Sequence, residues 1–232
     1  KEKIHDTSYM QNRGVVLSID ERLQTIAHKA AKKYLKKGAV LITEVPRCQI
    51  RACVSLPEFS PLNLEKVLDS KDAPLMNRAL CAYNLGSVFK LVTSAAALEK
   101  NLSSEAEYQC EGNIMVGSSR FHCFDGRAHG PVNMEHAISK SCNSYFVDLA
   151  NKLDPQYFID MSLNFGFNKE LELAPNLISD QGNLPSVSEL KNPQMMANVS
   201  FGQGTLMATP IQVAGLINTI ASGGIYASPN LI

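Results

Sequence analysis

The stretch Asn84-Leu-Gly-Ser87-Val-Phe-Lys90-Leu-Val-Thr-Ser-Ala-Ala-Ala-Leu-Glu99 sets a serine and a lysine three residues apart at the head of an apolar, alanine-rich segment. From Val88 to Leu98 only Lys90, Thr93 and Ser94 are polar, so the segment reads as a buried helix that carries Lys90 into the interior. Gly86 lets the backbone turn sharply into it. Residues three apart on a helix share a face, which brings the Lys90 amine within reach of the Ser87 hydroxyl. A serine is a weak nucleophile until a neighbouring base takes its proton. A solvated lysine, with a pKa of about 10.4, becomes such a base near neutrality only after a drop of roughly three units, or about 4 kcal/mol. The helix dipole supplies about 0.3–1 kcal/mol of this, and desolvation must supply the rest.

The spacing alone says little. With 21 Ser and 15 Lys in 232 residues, chance gives roughly 1.4 Ser-x-x-Lys matches, and the chain holds two. The second, Ser188-Glu-Leu-Lys191, lies in a polar stretch between Pro185 and Pro193 with no apolar helix around its lysine, and reads as a decoy. A further polar pair, Ser141-Cys-Asn143, falls between two expected helices and offers a hydroxyl and a carboxamide for proton transfer and amide binding. The same pattern recurs at Ser162-Leu-Asn164 and Ser228-Pro-Asn230, and helix capping is an alternative role for Ser141.

A chain of 232 residues that is 45% apolar can build a sizeable core. The 22 basic residues balance the 22 acidic ones, which argues against a nucleic-acid partner or an anionic membrane surface. Leu206 to Ala227 is interrupted by Thr209, Pro210, Gln212, Asn218 and Gly223-Gly224, and reads as a helix of a soluble domain capped by Thr209. The chain begins at Lys1 without a signal peptide, and is expected to be a piece of a longer protein.

Six cysteines, at 48, 53, 81, 110, 123 and 142, include no Cys-x-x-Cys pair. Cys110, Cys123, His129 and His136 could supply four metal donors, but their spacings match no tight zinc pattern. The expectation is therefore no metal and no cofactor, with Cys110 and Cys123 as two thiols or one disulfide closing a polar excursion, and Cys142 as a packed thiol.

Along the chain, residues 21–37 show helical periodicity with Asp20 as cap. Ala39–Val45 and Ile50–Ser55 read as two strands of a hairpin turning through Pro46–Gln49. Residues 56–83 form a long connection, and 103–132 and 164–194 are irregular. Helices are expected over Met134–Lys140, capped by Asn133, over Ser144–Leu153, and from Thr209-Pro210 to Gly223-Gly224. The order implies a mixed α/β (α+β) domain with helices on a sheet. Two strands make a marginal sheet, so strands are missing.

These residues carry a resemblance. Gly14-Val-Val-Leu-Ser-Ile-Asp20 with Leu23-Gln24, Gly38-Ala-Val-Leu-Ile, Ser55-Leu-Pro57, Asn77-Arg-Ala79, Gly86-Ser-Val-Phe-Lys90, His129-Gly130, Ser139-Lys-Ser-Cys-Asn143, Phe201-Gly-Gln-Gly204, Thr209-Pro-Ile-Gln212 and Ala221-Ser-Gly-Gly224 follow one another in the order of class B penicillin-binding protein transpeptidase domains. The resemblance spans about residues 12 to 230 and implies the penicillin-binding transpeptidase / serine β-lactamase-like fold, with 1–13 as the end of a linker or pedestal and 14–232 as the N-terminal part of the domain.

It further implies that Ser87 is the acylated nucleophile, Lys90 its base, Ser141 the proton relay to the leaving D-alanine, and Asn143 the ligand of the donor-peptide amide. The Ser87 N–H would supply half of an oxyanion hole. The reaction implied is D,D-transpeptidation of peptidoglycan stem peptides, serving cell-wall biogenesis and cell shape, with β-lactams trapping the same serine as antibiotics. The parent would be membrane-anchored on the extracytoplasmic face and associated with other cell-wall synthesis proteins. A β-lactam-binding sensor module of the same fold is the alternative. A class D β-lactamase fits less well, because that family has a hydrophobic residue where Asn143 stands.

Two departures stand out. Leu85 replaces the proline usual before the nucleophile's Gly-Ser, and the third family motif, Lys-Thr-Gly or Lys-Ser-Gly on a strand walling the site, is absent from the 232 residues. Residues 1–232 alone are accordingly expected to show little or no transpeptidase activity.

Overall fold

A computed structural model describes residues 14–232; the linker or pedestal expected at 1–13 lies outside the described residues. Helix α1 (Glu21–Tyr34) begins where Asp20 Oδ1 accepts from the backbone N–H groups of Arg22 and Leu23, as read from the sequence. It stops three residues before the expected Lys37, because Leu35 turns extended to feed strand β1 (Gly38–Glu44). That strand pairs antiparallel with β2 (Gln49–Leu56), with a bulge between Ile42 and Thr43. The hairpin packs on both faces. Val40 and Ile42 with Ala52, Val54 and Leu56 lie against Ala27 and Ala31 of α1, and Leu41 and Cys53 belong to a second cluster around Ile211.

The rest is a helical lobe. A 3-10 turn (Gly86–Phe89) leads into α2 (Lys90–Glu99), so the expected helix is present but its first turn is wound tighter. The lobe's other helices are α3 (Met134–Ser139), α4 (Asn143–Ala150) and α5 (Pro155–Asn164), which pack on α2, then α6 (Val187–Leu190) and α7 (Pro193–Ser200), and α8 (Pro210–Ala221), which packs on β1. Phe89 is fully buried, edge-on to Phe158 and Phe167 at centroid distances of 5.9 and 5.4 Å. Buried Val92, Ala96 and Ala97 of α2 join Phe146 and Leu149 of α4 in the same core. Even the polar positions of α2 are accounted for: Thr93 Oγ1 donates to the Ser200 carbonyl, and Ser94 Oγ to that of Lys90.

Helices α5 and α7 were not expected from the sequence. Each begins with proline in its first turn after an Asp or Asn cap, Asp154 accepting from Gln156 and Tyr157 and Asn192 from Gln194. Residues 103–132, expected to be irregular, contain two short antiparallel ribbons, β3 (Tyr108–Cys110) with β6 (Gly130–Val132) and β4 (Asn113–Val116) with β5 (Ser119–His122). A third joins β7 (Glu172–Ala174) to β8 (Leu177–Ile178). Among the described residues the strands pair only in twos, in keeping with the shortage of strands in the sequence.

Candidate active site

Lys90, at the start of α2, is 2% exposed, while Ser87 lies at the surface one turn earlier. The Lys90 amine contacts three acceptors: Ser141 Oγ at 2.9 Å, the Ser141 carbonyl at 2.8 Å and Asn143 Oδ1 at 2.7 Å. Ser141 Oγ in turn lies 2.9 Å from Ser87 Oγ. The sequence suggested direct contact between lysine and nucleophile, but the hydrogen bonds run through Ser141. Three acceptors match the three donors of an ammonium. When the amine is neutral, two N–H groups suffice for the Ser141 carbonyl and Asn143, and the lone pair is left to accept from Ser141 Oγ.

Burial pushes the Lys90 pKa down from 10.5 to about 8, against an opposing pull from Cys142 and Cys123. The neutral amine is therefore a sizeable fraction near pH 7–8, and a proton on Ser87 has a continuous path to Lys90 through Ser141. Asn143 is held at its other end by donating Nδ2–H to the His122 carbonyl at 2.9 Å. Ser141 occupies the left-handed region at φ +51°, uncommon for serine, and is fixed by backbone bonds from its own N–H to Ile138 and from Cys142 N–H to Ala137.

A backbone contact supports the turn that carries Ser87. Gly86 (φ +66°) donates its N–H to the Gly202 carbonyl at 2.9 Å, and a Cβ on Gly202 (φ +80°) would stand 1.9 Å from the Gly86 carbonyl oxygen. Only glycine fits there, which gives Phe201-Gly-Gln-Gly204 its meaning. The Ser87 N–H, in the first turn of the 3-10 segment, lies where helical N–H groups lack intrahelical partners and can face an oxyanion.

A buried lysine linked through Ser141 to an exposed serine, on this fold, coincides with a family match: residues 38–232 fit the penicillin binding protein transpeptidase domain. The chain belongs to that family. It is 29% identical over 224 residues to stage V sporulation protein D of Bacillus subtilis, covering 92% of this chain and 33% of that protein. It is likewise 29% identical over 214 residues to the peptidoglycan D,D-transpeptidase PbpA of Mycolicibacterium smegmatis, covering 84% and 43%. The penicillin G acyl-enzyme complex of penicillin-binding protein A from M. tuberculosis superimposes with a TM-score of 0.85 at 26% identity, over 93% of this chain and 53% of that one. The class B resemblance and the mixed α/β penicillin-binding fold are thus borne out, and the chain spans well under half the length of these two curated relatives.

The transpeptidase-family site has a second polar cluster behind it. Cys110, Cys123, His129 and Cys142 place their donor atoms within 4.8 Å of one another. His136, the fourth donor considered from the sequence, is exposed on α3 and takes no part; Cys142, expected to be a packed thiol, stands in its place. All six cysteines are free, so Cys110 and Cys123 are two thiols and not a disulfide. Burial disfavours a thiolate at Cys110, but hydrogen bonds from the Ser144 hydroxyl and from the Gly112 and His129 backbones outweigh it and bring the thiol down to about 6. Burial pushes Cys142 up to about 12. The signal missed in the sequence was Cys142 itself, inside the Ser-x-Asn pattern already singled out.

Proposed function

We propose that the chain is the nucleophile-bearing part of a peptidoglycan D,D-transpeptidase, and the Ser87–Ser141–Lys90 relay is the observation that carries this reading. Ser87 Oγ attacks the carbonyl carbon between the two D-alanines of a stem peptide, its proton passing to Lys90 through Ser141. The oxygen charge that develops faces the Ser87 N–H. Collapse breaks the C–N bond, Ser141 hands a proton to the departing D-alanine amine, and an ester remains on Ser87. An amine from a neighbouring strand then attacks the ester and restores the serine. Asn143, already anchored to His122, offers its carboxamide to the donor-peptide amide.

A β-lactam presents a strained amide to the same oxygen and leaves a similar ester, as the acyl-enzyme structure of the mycobacterial relative illustrates. In this reading the Lys-Thr-Gly or Lys-Ser-Gly wall lies beyond Ile232, and residues 1–232 alone turn over little substrate, since one missing oxyanion donor costs about 10²–10³ in rate. The parent works at the extracytoplasmic membrane face with other cell-wall proteins; no helix among the described residues is long and apolar enough to cross a membrane. The test is exposure of the full-length protein to penicillin with intact-mass detection. A long-lived adduct on Ser87 is expected, whereas hydrolysed penicillin released within seconds, or no adduct, overturns the reading. Penicillin acylation without cross-linking of stem peptides would instead select the sensor module.

A further inference from the structure

Beside the Ser141–Asn143 segment lies a cavity of about 270 Å³ lined by Arg127, Ala128, His129 and Lys140. Two cations border it, and no acidic side chain does. Arg127 and Lys140 are both exposed, and the ion pairs among the described residues all join other side chains. Lys140 Nζ stands 3.5 Å from the His129 carbonyl, a long contact that leaves most of the donor capacity of the ammonium free. Lys140 also closes the last turn of α3, where a cation suits the helix dipole. Arg127, in a loop, has no such reason to be there.

Both walls of the cavity are tied to the proposed acylation site. Lys140 immediately precedes Ser141, whose Oγ lies 2.9 Å from Ser87 Oγ. Arg127 sits on the loop that follows His122, whose carbonyl accepts from Asn143 Nδ2 at 2.9 Å. That loop has a fixed shape. Gly126 donates its N–H to the Cys123 carbonyl and Arg127 to that of Phe124, and a Cβ on Gly112 (φ +85°) would stand 2.2 Å from the Gly126 carbonyl oxygen. Asp125 enters the left-handed region at φ +53° to complete the turn.

Two unpaired cations around a small cavity suit one anionic group. A guanidinium presents a planar fork that matches a carboxylate, and an ammonium beside it adds charge and turning freedom. Consecutive Cα atoms are about 3.8 Å apart, so Lys140 is displaced from Ser141 by about the advance of one residue of an extended peptide. A donor whose scissile carbonyl meets Ser87 and whose amide meets Asn143 can therefore bring a side chain one or two residues upstream to the cavity. We propose, resting on the transpeptidase reading above, that Arg127 and Lys140 take up a carboxylate of the donor stem peptide, carried one or two residues upstream of its D-Ala-D-Ala end. The cavity then selects donors with an acidic side chain at that position.

The test uses the full-length protein and matched acetylated donors in which a thioester replaces the scissile amide after D-alanine, with glutamate or glutamine at the first or second residue before that D-alanine. Thiol release gives kcat/KM for each. At one of the two positions glutamate should be preferred over glutamine by at least about tenfold, chiefly through KM, and the preference should shrink in about 1 M salt. Arg127→Ala and Lys140→Ala should each bring the ratio below about threefold, Arg127→Lys should keep part of it, and Arg127→Glu should turn the preference toward lysine at that position. Lys152→Ala, at the far end of α4, should keep the full ratio. Equal rates for glutamate and glutamine donors, a ratio that survives both alanine variants, or equal losses on both donors and on penicillin, as a merely structural role would give, overturns the site. A preference that appears only when the acid is carried by the acceptor amine overturns its assignment to the donor. Failure of Ser87 to take penicillin at all is a separate result, and it overturns the transpeptidase reading itself.

Discussion

Ser87-Val-Phe-Lys90 and Ser188-Glu-Leu-Lys191 share a pattern and differ in everything around it. Lys90 is 2% exposed, with its amine 5.5 Å from the centre of the Phe146 ring and hydrogen-bonded to Ser141 and Asn143. Lys191 closes a four-residue helix at the surface, and Ser188 is exposed, 2.9 Å from another serine, Ser186. Glu189 serves a capping box there and not a reaction. The difference teaches that burial, and not residue spacing, lowers the pKa of a lysine, which is what the proposed roles of Ser87 and Lys90 require.

The widest separation between the two pairs should appear on deleting the hydroxyls. Ser87→Ala is expected to abolish covalent penicillin labelling of the full-length protein, and Ser188→Ala to leave it unchanged; labelling that survives the first change, or is lost in the second, breaks the contrast. Next comes Lys90→Arg, which puts a permanently charged group where a removable proton is needed. Acylation should fall about 10²–10⁴-fold by stopped-flow measurement, whereas Lys191→Arg should have no effect. On the stability side, Phe89→Ala removes a fully buried ring beneath the nucleophile turn and should cost about 3–5 kcal/mol in denaturant unfolding. The corresponding change at the decoy, Ser186→Ala, removes only a helix cap and should cost about 1 kcal/mol.

Local signals made much of this legible. Asp20, Asn133 and Thr209 each cap the helix their position indicated, because a side chain accepting from the next N–H groups is a short-range event. The apolar face of α2 likewise announced the burial of Lys90. Helices α5 and α7 carried similar Asp-Pro and Asn-Pro starts, yet their surrounding periodicity was too weak to draw attention to them. What could not be read was contact between distant segments. Ser141 stands 54 residues from Ser87, so spacing suggested a direct Lys90–Ser87 bond where the fold inserts a hydroxyl. Cys142 joins Cys110 and Cys123 only because two ribbons and the α4 start converge, and Gly202 meets Gly86 only in three dimensions.

The pH dependence of Ser87 acylation by penicillin tests most directly whether burial makes the base. A lysine acts as base only after losing its proton, so lowering its pKa to about 8 moves the gain in rate down to that pH. The acylation rate should rise with pH and level off above a midpoint near 8. A midpoint at or above about 10, where an ordinary solvated lysine titrates, or a flat profile between pH 6 and 10, would contradict the account.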